Sequence, residues 1–171
     1  MEKNILVLAP HTDDVEFGCG GTIARFANEG KDVWYVAFSA AEKSVPDEFP
    51  KDILRKEVTE ATEILGVTKE RRIILSYPVR EFPLHRQELL DEMIELGECI
   101  KPDIVFLPST YDTHQDHQTI VQEGFRAFKK TTMLGYEVPW NNLTFSTQTF
   151  VFLKEEHINK KTEALKCYRS Q

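Results

Sequence analysis

The chain has few cysteines, no long apolar run and no clustered basic surface, and each lack removes a class of protein. Its three cysteines, Cys19, Cys99 and Cys167, stand far apart in 171 residues. They are too few for a disulfide framework and form no CxxC pair, so reduced thiols are expected. No apolar stretch approaches the roughly 20 residues of a membrane span. The opening M-E-K-N-I-L-V-L-A runs directly into a strand-like segment. That segment is too short, and too quickly followed by His and Asp, for a signal peptide, which makes a cytoplasmic location the expectation. The nearest basic runs, Lys129-Lys130 and Lys160-Lys161, are short, and the net charge is −7 with a pI near 5.3. Binding nucleic acid needs a clustered basic surface, so no nucleic-acid partner is expected. Internal repeats, low-complexity tracts and linkers are missing too.

What is present fits one soluble globular domain. Hydrophobic residues make up 41% and charged residues 29%, and a chain of this length buries roughly two-thirds of its unfolded surface. Ile5 to Ala9 is a short apolar run of the kind that forms a strand covered on both faces. The glycines at 18, 20 and 21 lead into an expected helix from about Thr22 to Asn28. Val33 to Phe38 reads as a second strand, followed by a helix around 52 to 65 stopped by Gly66. Ile73 to Leu75 is a third strand, Leu84 to Ile100 an amphipathic helix, and Ile104 to Leu107 a fourth strand. A helix from about Gln118 to Lys129 follows. Met133 to Tyr136 and Val151 to Leu153 read as late strands, and Glu155 to Tyr168 as a last helix. Strands alternating with helices at these lengths predict an α/β fold: a Rossmann-like parallel sheet with flanking helices, in the order 3-2-1-4 with late added strands.

Two polar stretches follow strand tips in that arrangement: P-H-T-D-D-V-E-F-G-C-G-G at residues 10 to 21 and T-H-Q-D-H at 113 to 117. In a 3-2-1-4 sheet, strands one and four are neighbours, and the loops leaving their carboxyl ends open a crevice at the switch point. His11 and His117, more than a hundred positions apart, would meet there. Zinc catalytic sites use three His or carboxylate ligands and keep a position for water. His11, Asp14 and His117 supply such a set, although on spacing alone His114 serves as well as His117. Taken singly, each motif has a plainer reading. Asp13 or Asp14 can cap the next helix, and a lone histidine after a strand can be structural. Their pairing at two switch-point strands is what points to metal. The G-C-G-G segment lacks the spacing of the G-x-G-x-x-G dinucleotide fingerprint, and no P-loop follows, so packing and turn geometry are expected rather than a phosphate cradle.

The sequence P-H-T-D-D-V-E-F-G-C-G-G, followed by R-K-E-V-T-E-A-T-E-I-L-G-V and then P-S-T-Y-D-T-H-Q-D-H, resembles the LmbE-like or PIG-L-like de-N-acetylases. The resemblance runs in order over nearly the whole chain. It implies a zinc-dependent enzyme, with another divalent metal as an alternative, that removes acetyl groups from N-acetylglucosamine-type sugars or their conjugates. It also implies His11, Asp14 and His117 as ligands, Asp13 as general base, His114 as the oxyanion-stabilising residue and Asp116 as the group that orients and charges His114. Arg55, in the R-K-E segment, resembles the family's sugar-contacting arginine.

Two departures stand out. Thr12 replaces the family's usual proline, which frees a backbone angle and leaves every ligating group in place. The chain stops at K-C-Y-R-S-Q, where similar members continue, so a C-terminally truncated domain is expected. Truncation would expose apolar surface and favour a homo-oligomer. For substrate contacts, Arg80 and Arg86 can grip a phosphate or carboxylate or be simple surface arginines. Tyr111 and Trp140 can stack on a sugar ring or pack as rim and core aromatics.

Overall fold

The computed structural model of the protein describes residues 4–144 and 146–171. Its strands are β1 (Asn4–Ala9), β2 (Asp32–Ala37), β3 (Arg72–Ile74), β4 (Ile104–Pro108) and β5 (Thr132–Tyr136). Its longer helices are α1 (Asp14–Asn28), α2 (Ile53–Leu65), α3 (Arg86–Ile100), α4 (Gln115–Ala127) and α5 (Glu155–Leu165). The strands form one parallel sheet in the order β3-β2-β1-β4-β5, as the pattern of apolar runs predicts.

The sheet separates two cores, and the period of two along a strand decides which residue enters which. On β1, Ile5, Val7 and Ala9 join α1, α2 and α5 on one face. Leu6 and Leu8 join α3 and α4 on the other. Both faces are covered, so the central strands read as unbroken apolar runs. A fully buried Leu or Val side chain contributes about 1.5–3 kcal/mol, and β1 alone places Leu6, Val7 and Leu8 out of contact with water.

Three boundaries differ from expectation. The first helix starts at Asp14, not near Thr22, and its only non-helical residue is Cys19, with φ −141°. The glycines do not break it. They let neighbours approach: a Cβ on Gly18 would lie 2.3 Å from the Tyr136 ring, and one on Gly21 would lie 2.6 Å from Leu153. At the kink, Lys161 on α5 donates to the Phe17 carbonyl at 2.6 Å. Helix α4 likewise begins three residues early, because His114 is itself its N-cap. Residues 151–153 form no strand and pair with none among the described residues. Phe152 is exposed, its carbonyl held by Arg25 at 2.8 Å, and Leu153 rests over Gly21. Gly66 ends α2 with φ +92°, the left-handed stop that glycine adopts without strain.

Candidate metal centre

Strands β1 and β4 are paired neighbours whose connections leave to opposite sides of the sheet, which makes their carboxyl ends the switch point. The turn after Ala9 carries His11, Asp13 and Asp14. The turn after Pro108 carries Asp112 and His114, and the first turn of α4 carries Asp116 and His117. Three donor atoms converge there. His11 Nδ1 is 3.2 Å from Asp14 Oδ2, His117 Nε2 is 3.1 Å from the same oxygen, and the two ring nitrogens are 3.3 Å apart. All three side chains are buried. Ligands placed tetrahedrally at the roughly 2.0–2.1 Å typical of zinc stand about 3.3 Å from one another. The spacing therefore suits a small divalent ion without rearrangement.

Carboxylates behind the two candidate ligand histidines fix how each ring is presented. His11 donates through Nε2 to Asp116 Oδ2 at 3.0 Å, and His117 donates through Nδ1 to Asp112 Oδ2 at 2.7 Å. The opposite nitrogen of each ring is then left as the ligating lone pair. Asp14 is held by the His11 backbone N–H, 2.8 Å from its Oδ2. Asp112 also anchors the entry to α4, because its Oδ1 accepts the His114 N–H at 2.8 Å, a two-residue Asx turn.

The buried carboxylates and imidazoles shift one another's titration. Burial disfavours charge on His11, but the Asp116 and Asp14 carboxylates outweigh it and hold the imidazole up to about 9. Burial is likewise overcome at His117 by Asp14 and Asp112, which raise it to about 10. Asp14, also buried, is pulled well below the ordinary carboxylate range by the two histidines. Asp13, beside the tripod and free of any capping bond, is pushed up to about 6 by burial and by the neighbouring Asp14 charge. Burial pushes Glu16 higher still, to about 8.

A second trio, His11, His114 and Asp116, also lies close enough to share an ion. It is the weaker set. Asp116 already accepts the Arg80 N–H at 2.6 Å and the Phe82 N–H at 3.3 Å, besides His11. The same geometry corrects the expected pairing of Asp116 with His114. The Asp116 carboxylate faces His11, and its contact with His114 is through the backbone, where the Asp116 N–H donates to His114 Nδ1 at 3.1 Å. With Nδ1 accepting, the neutral ring carries its proton on Nε2. Burial, and then the charges of His117 and His11, hold His114 below its ordinary value, so the neutral form is favoured. The Asp116 and Asp14 charges act in the opposite sense on His114 without overcoming burial, and the ring is half-buried.

The four expected substrate residues are placed differently. Arg55 lines a recess of about 150 Å³ at the carboxyl ends of β2 and β3, with Ser39, Glu42, Ser76 and Tyr77. Its guanidinium is engaged by Glu42 at 2.9 Å, Ser76 at 2.8 Å and the carbonyls of Ile74 and Leu75. Arg80 has a left-handed φ of +69°, and its contribution to the site is its backbone N–H on Asp116. Arg86 is tied to the fully buried Glu123, which Arg126 also meets, and so holds α3 to α4. Tyr111 is half-exposed beside Ser109, while Trp140 stands edge-on to Phe17, 4.7 Å between ring centres. Asp112 was overlooked in the sequence. Its signal was an aspartate two residues before a histidine at a helix start.

The fold and the tripod together define a doubly wound α/β protein with a His–Asp–His centre at its switch point. The PIG-L family, described as GlcNAc-PI de-N-acetylase, matches residues 6–128, and the chain belongs to that family. It is 29% identical to the uncharacterized deacetylase YaiS of Escherichia coli (strain K12) over 98% of this chain and 91% of that protein. The N,N'-diacetylchitobiose deacetylase structure from Pyrococcus horikoshii superposes with a TM-score of 0.83 at 25% identity, covering 99% of this chain and 71% of the other. A 4-oxalmesaconate hydratase of Pseudomonas putida is 28% identical over 68% of this chain and 48% of its own length.

Proposed function

We propose that the protein is a zinc-dependent hydrolase that removes the acetyl group from an N-acetylglucosamine-type sugar or sugar conjugate, releasing acetate and a free amine. The observation that carries this reading is the convergence of His11, Asp14 and His117, each histidine backed by its own carboxylate, with Asp13 beside them. Relatives named as deacetylases support the choice of reaction. The free, scattered thiols fit a reducing, cytoplasmic setting. Among the described residues no helix is long and apolar enough to cross a membrane.

His11, Asp14 and His117 would hold the ion. Zinc supplies Lewis acidity toward an amide carbonyl and lowers the pKa of water to about 7. The remaining work falls to side chains of this chain. Asp13 takes the proton of the attacking water and delivers it to the departing nitrogen as the carbon–nitrogen bond breaks. His114, with Nε2–H outward, donates to the carbonyl oxygen as negative charge develops there, an interaction worth about 10²- to 10³-fold in rate. Asp116 and Asp112 keep the two ligand rings from turning. Arg55, Arg80 and Tyr111 are the candidate substrate contacts, and of these Arg55 lines a recess at the carboxyl ends of β2 and β3.

The deciding experiment combines metal analysis of purified protein, with and without His11→Ala, and an acetate assay on a panel of N-acetylhexosamine conjugates. Metal in the wild type, its loss in the variant, and acetate release are the expected results. A metal-free wild type, or no acetate from any panel member, would remove the proposal. A second reading, hydration, has the Pseudomonas relative behind it. Adding water to a double bond yields no acetate, so the same assay separates the two.

A further inference from the structure

The carbonyl of Thr12 lies between His11 and Asp13, in the middle of the ligand loop, and two phenols converge on it. Tyr35 Oη, from β2, donates to it at 2.8 Å, and Tyr168 Oη, from the segment after α5, is bonded to the same oxygen. The same two hydroxyls flank Glu16, at 3.2 Å from Oε2 and 3.0 Å from Oε1. Tyr35 and Glu16 are sealed from solvent and Tyr168 nearly so. No chemical step described above uses any of the three.

Each phenol thus stands between the Thr12 carbonyl and the Glu16 carboxyl, which joins the three side chains and the carbonyl into one network. The network is anchored at three separated points: β2 through Tyr35, α1 through Glu16 and the C-terminal segment through Tyr168. That segment is itself fastened by Ser170, whose N–H and hydroxyl reach the buried Glu57 at 3.1 and 2.6 Å. Helix α1 is kinked at Cys19, so the loop before it is not held by a single straight helix.

We propose that Tyr168 is a positioning residue for the metal-binding loop: with Tyr35 and Glu16 it fixes the Thr12 carbonyl, and so the angle at which His11 and Asp14 present their donor atoms. This rests on the metal-centre reading above. The C-terminal segment thereby takes part in the geometry of a site to which it contributes no ligand. A residue that merely fills the core would give the same effect through its ring alone, and the phenol oxygen separates the two cases.

The test uses the full chain loaded with Co²⁺, whose visible absorption reports ligand geometry. Tyr168→Phe keeps the ring and removes the oxygen. We expect a changed cobalt spectrum and about tenfold weaker Co²⁺ affinity, the size of effect seen when ligand-orienting groups are lost. In the acetate assay, kcat should fall with KM little changed. Glu16→Leu, which removes the carboxyl from both phenols, should resemble Tyr168→Phe. Should Tyr168→Phe fail to fold, Tyr35→Phe carries the same expectations through the other donor. An unaltered spectrum and affinity in the folded Tyr→Phe variants would overturn the inference while leaving the metal centre standing. A wild type that takes up no cobalt would overturn both.

Discussion

Replacing Asp112 with asparagine should weaken metal binding about 10- to 100-fold without unfolding the protein. The carboxylate is buried and serves two donors: His117 Nδ1 at 2.7 Å and the His114 N–H at 2.8 Å. Asparagine has nearly the same shape but one acceptor oxygen for two donors. If that oxygen stays on the His114 N–H, the amide NH₂ faces His117 Nδ1. The ring must then place its proton on Nε2, the nitrogen aimed at Asp14 and His11, and lose its ligating lone pair. If the amide flips, two N–H groups confront each other at the entry to α4. Either arrangement loses a charge-assisted bond or leaves a buried donor unmet, about 1.5–3 kcal/mol, and each 1.4 kcal/mol is about tenfold in affinity. Competition with a chelating indicator at neutral pH measures this directly, and the melting temperature of the chelated protein controls for folding. Affinity within about twofold of wild type would refute the role of Asp112 as the group that sets the His117 tautomer.

Asp13→Ala should retain metal and lose turnover by about 10²- to 10⁴-fold; near-wild-type acetate release would remove Asp13 as the base. In the chelated protein, His11 and His117 have folded values of about 9 and 10, above the ordinary 6.5. The stability they add is complete below pH 6.5 and is lost as pH rises through those values. Melts with EDTA should therefore fall across that window. Metal affinity should rise over the same window, because the ion displaces those protons; an EDTA-treated protein whose melting temperature climbs instead would contradict the assignment. Gly18→Ala would drive a methyl to 2.3 Å from the Tyr136 ring and should destabilise the fold by about 1–3 kcal/mol, measurable by urea unfolding.

Much of the fold was legible because both faces of the sheet are covered: Ile5–Ala9 and Ile104–Leu107 are unbroken apolar runs that only a buried parallel strand explains. That His11 and Asp14 would meet the T-H-Q-D-H histidines was legible because the two short motifs sat at the tips of strands that such a sheet makes neighbours; spacing alone left His114 and His117 equal, and the family resemblance chose between them. The errors have local causes. Glycines 18, 20 and 21 read as a packed lead-in to a helix near Thr22; the close packing is there, on Tyr136 and Leu153 for Gly18 and Gly21, but the helix already starts at Asp14 and only kinks at Cys19. Val151–Leu153 has strand-like composition, but strand propensity means nothing without a partner edge. The direction of the Asp116 carboxylate depends on the turn that brings the Arg80 and Phe82 N–H groups to it, and no spacing within T-H-Q-D-H encodes that turn. Arg86 looked like a substrate grip because Glu123, its buried partner, lies 37 positions away.

The facing nitrogens of His11 and His117 belong to residues 106 positions apart. Only a fragment that carries both residues can assemble the trio, and an ion would have nothing to gather until β1 has paired with β4. Contacts of such long range form late and slowly compared with local helices. On the proposed metal reading, an ion would therefore be a poor nucleator of this chain and a good reporter of its completion: it would bind the finished sheet, stabilise that state by mass action, and its uptake during refolding should lag the return of helical signal.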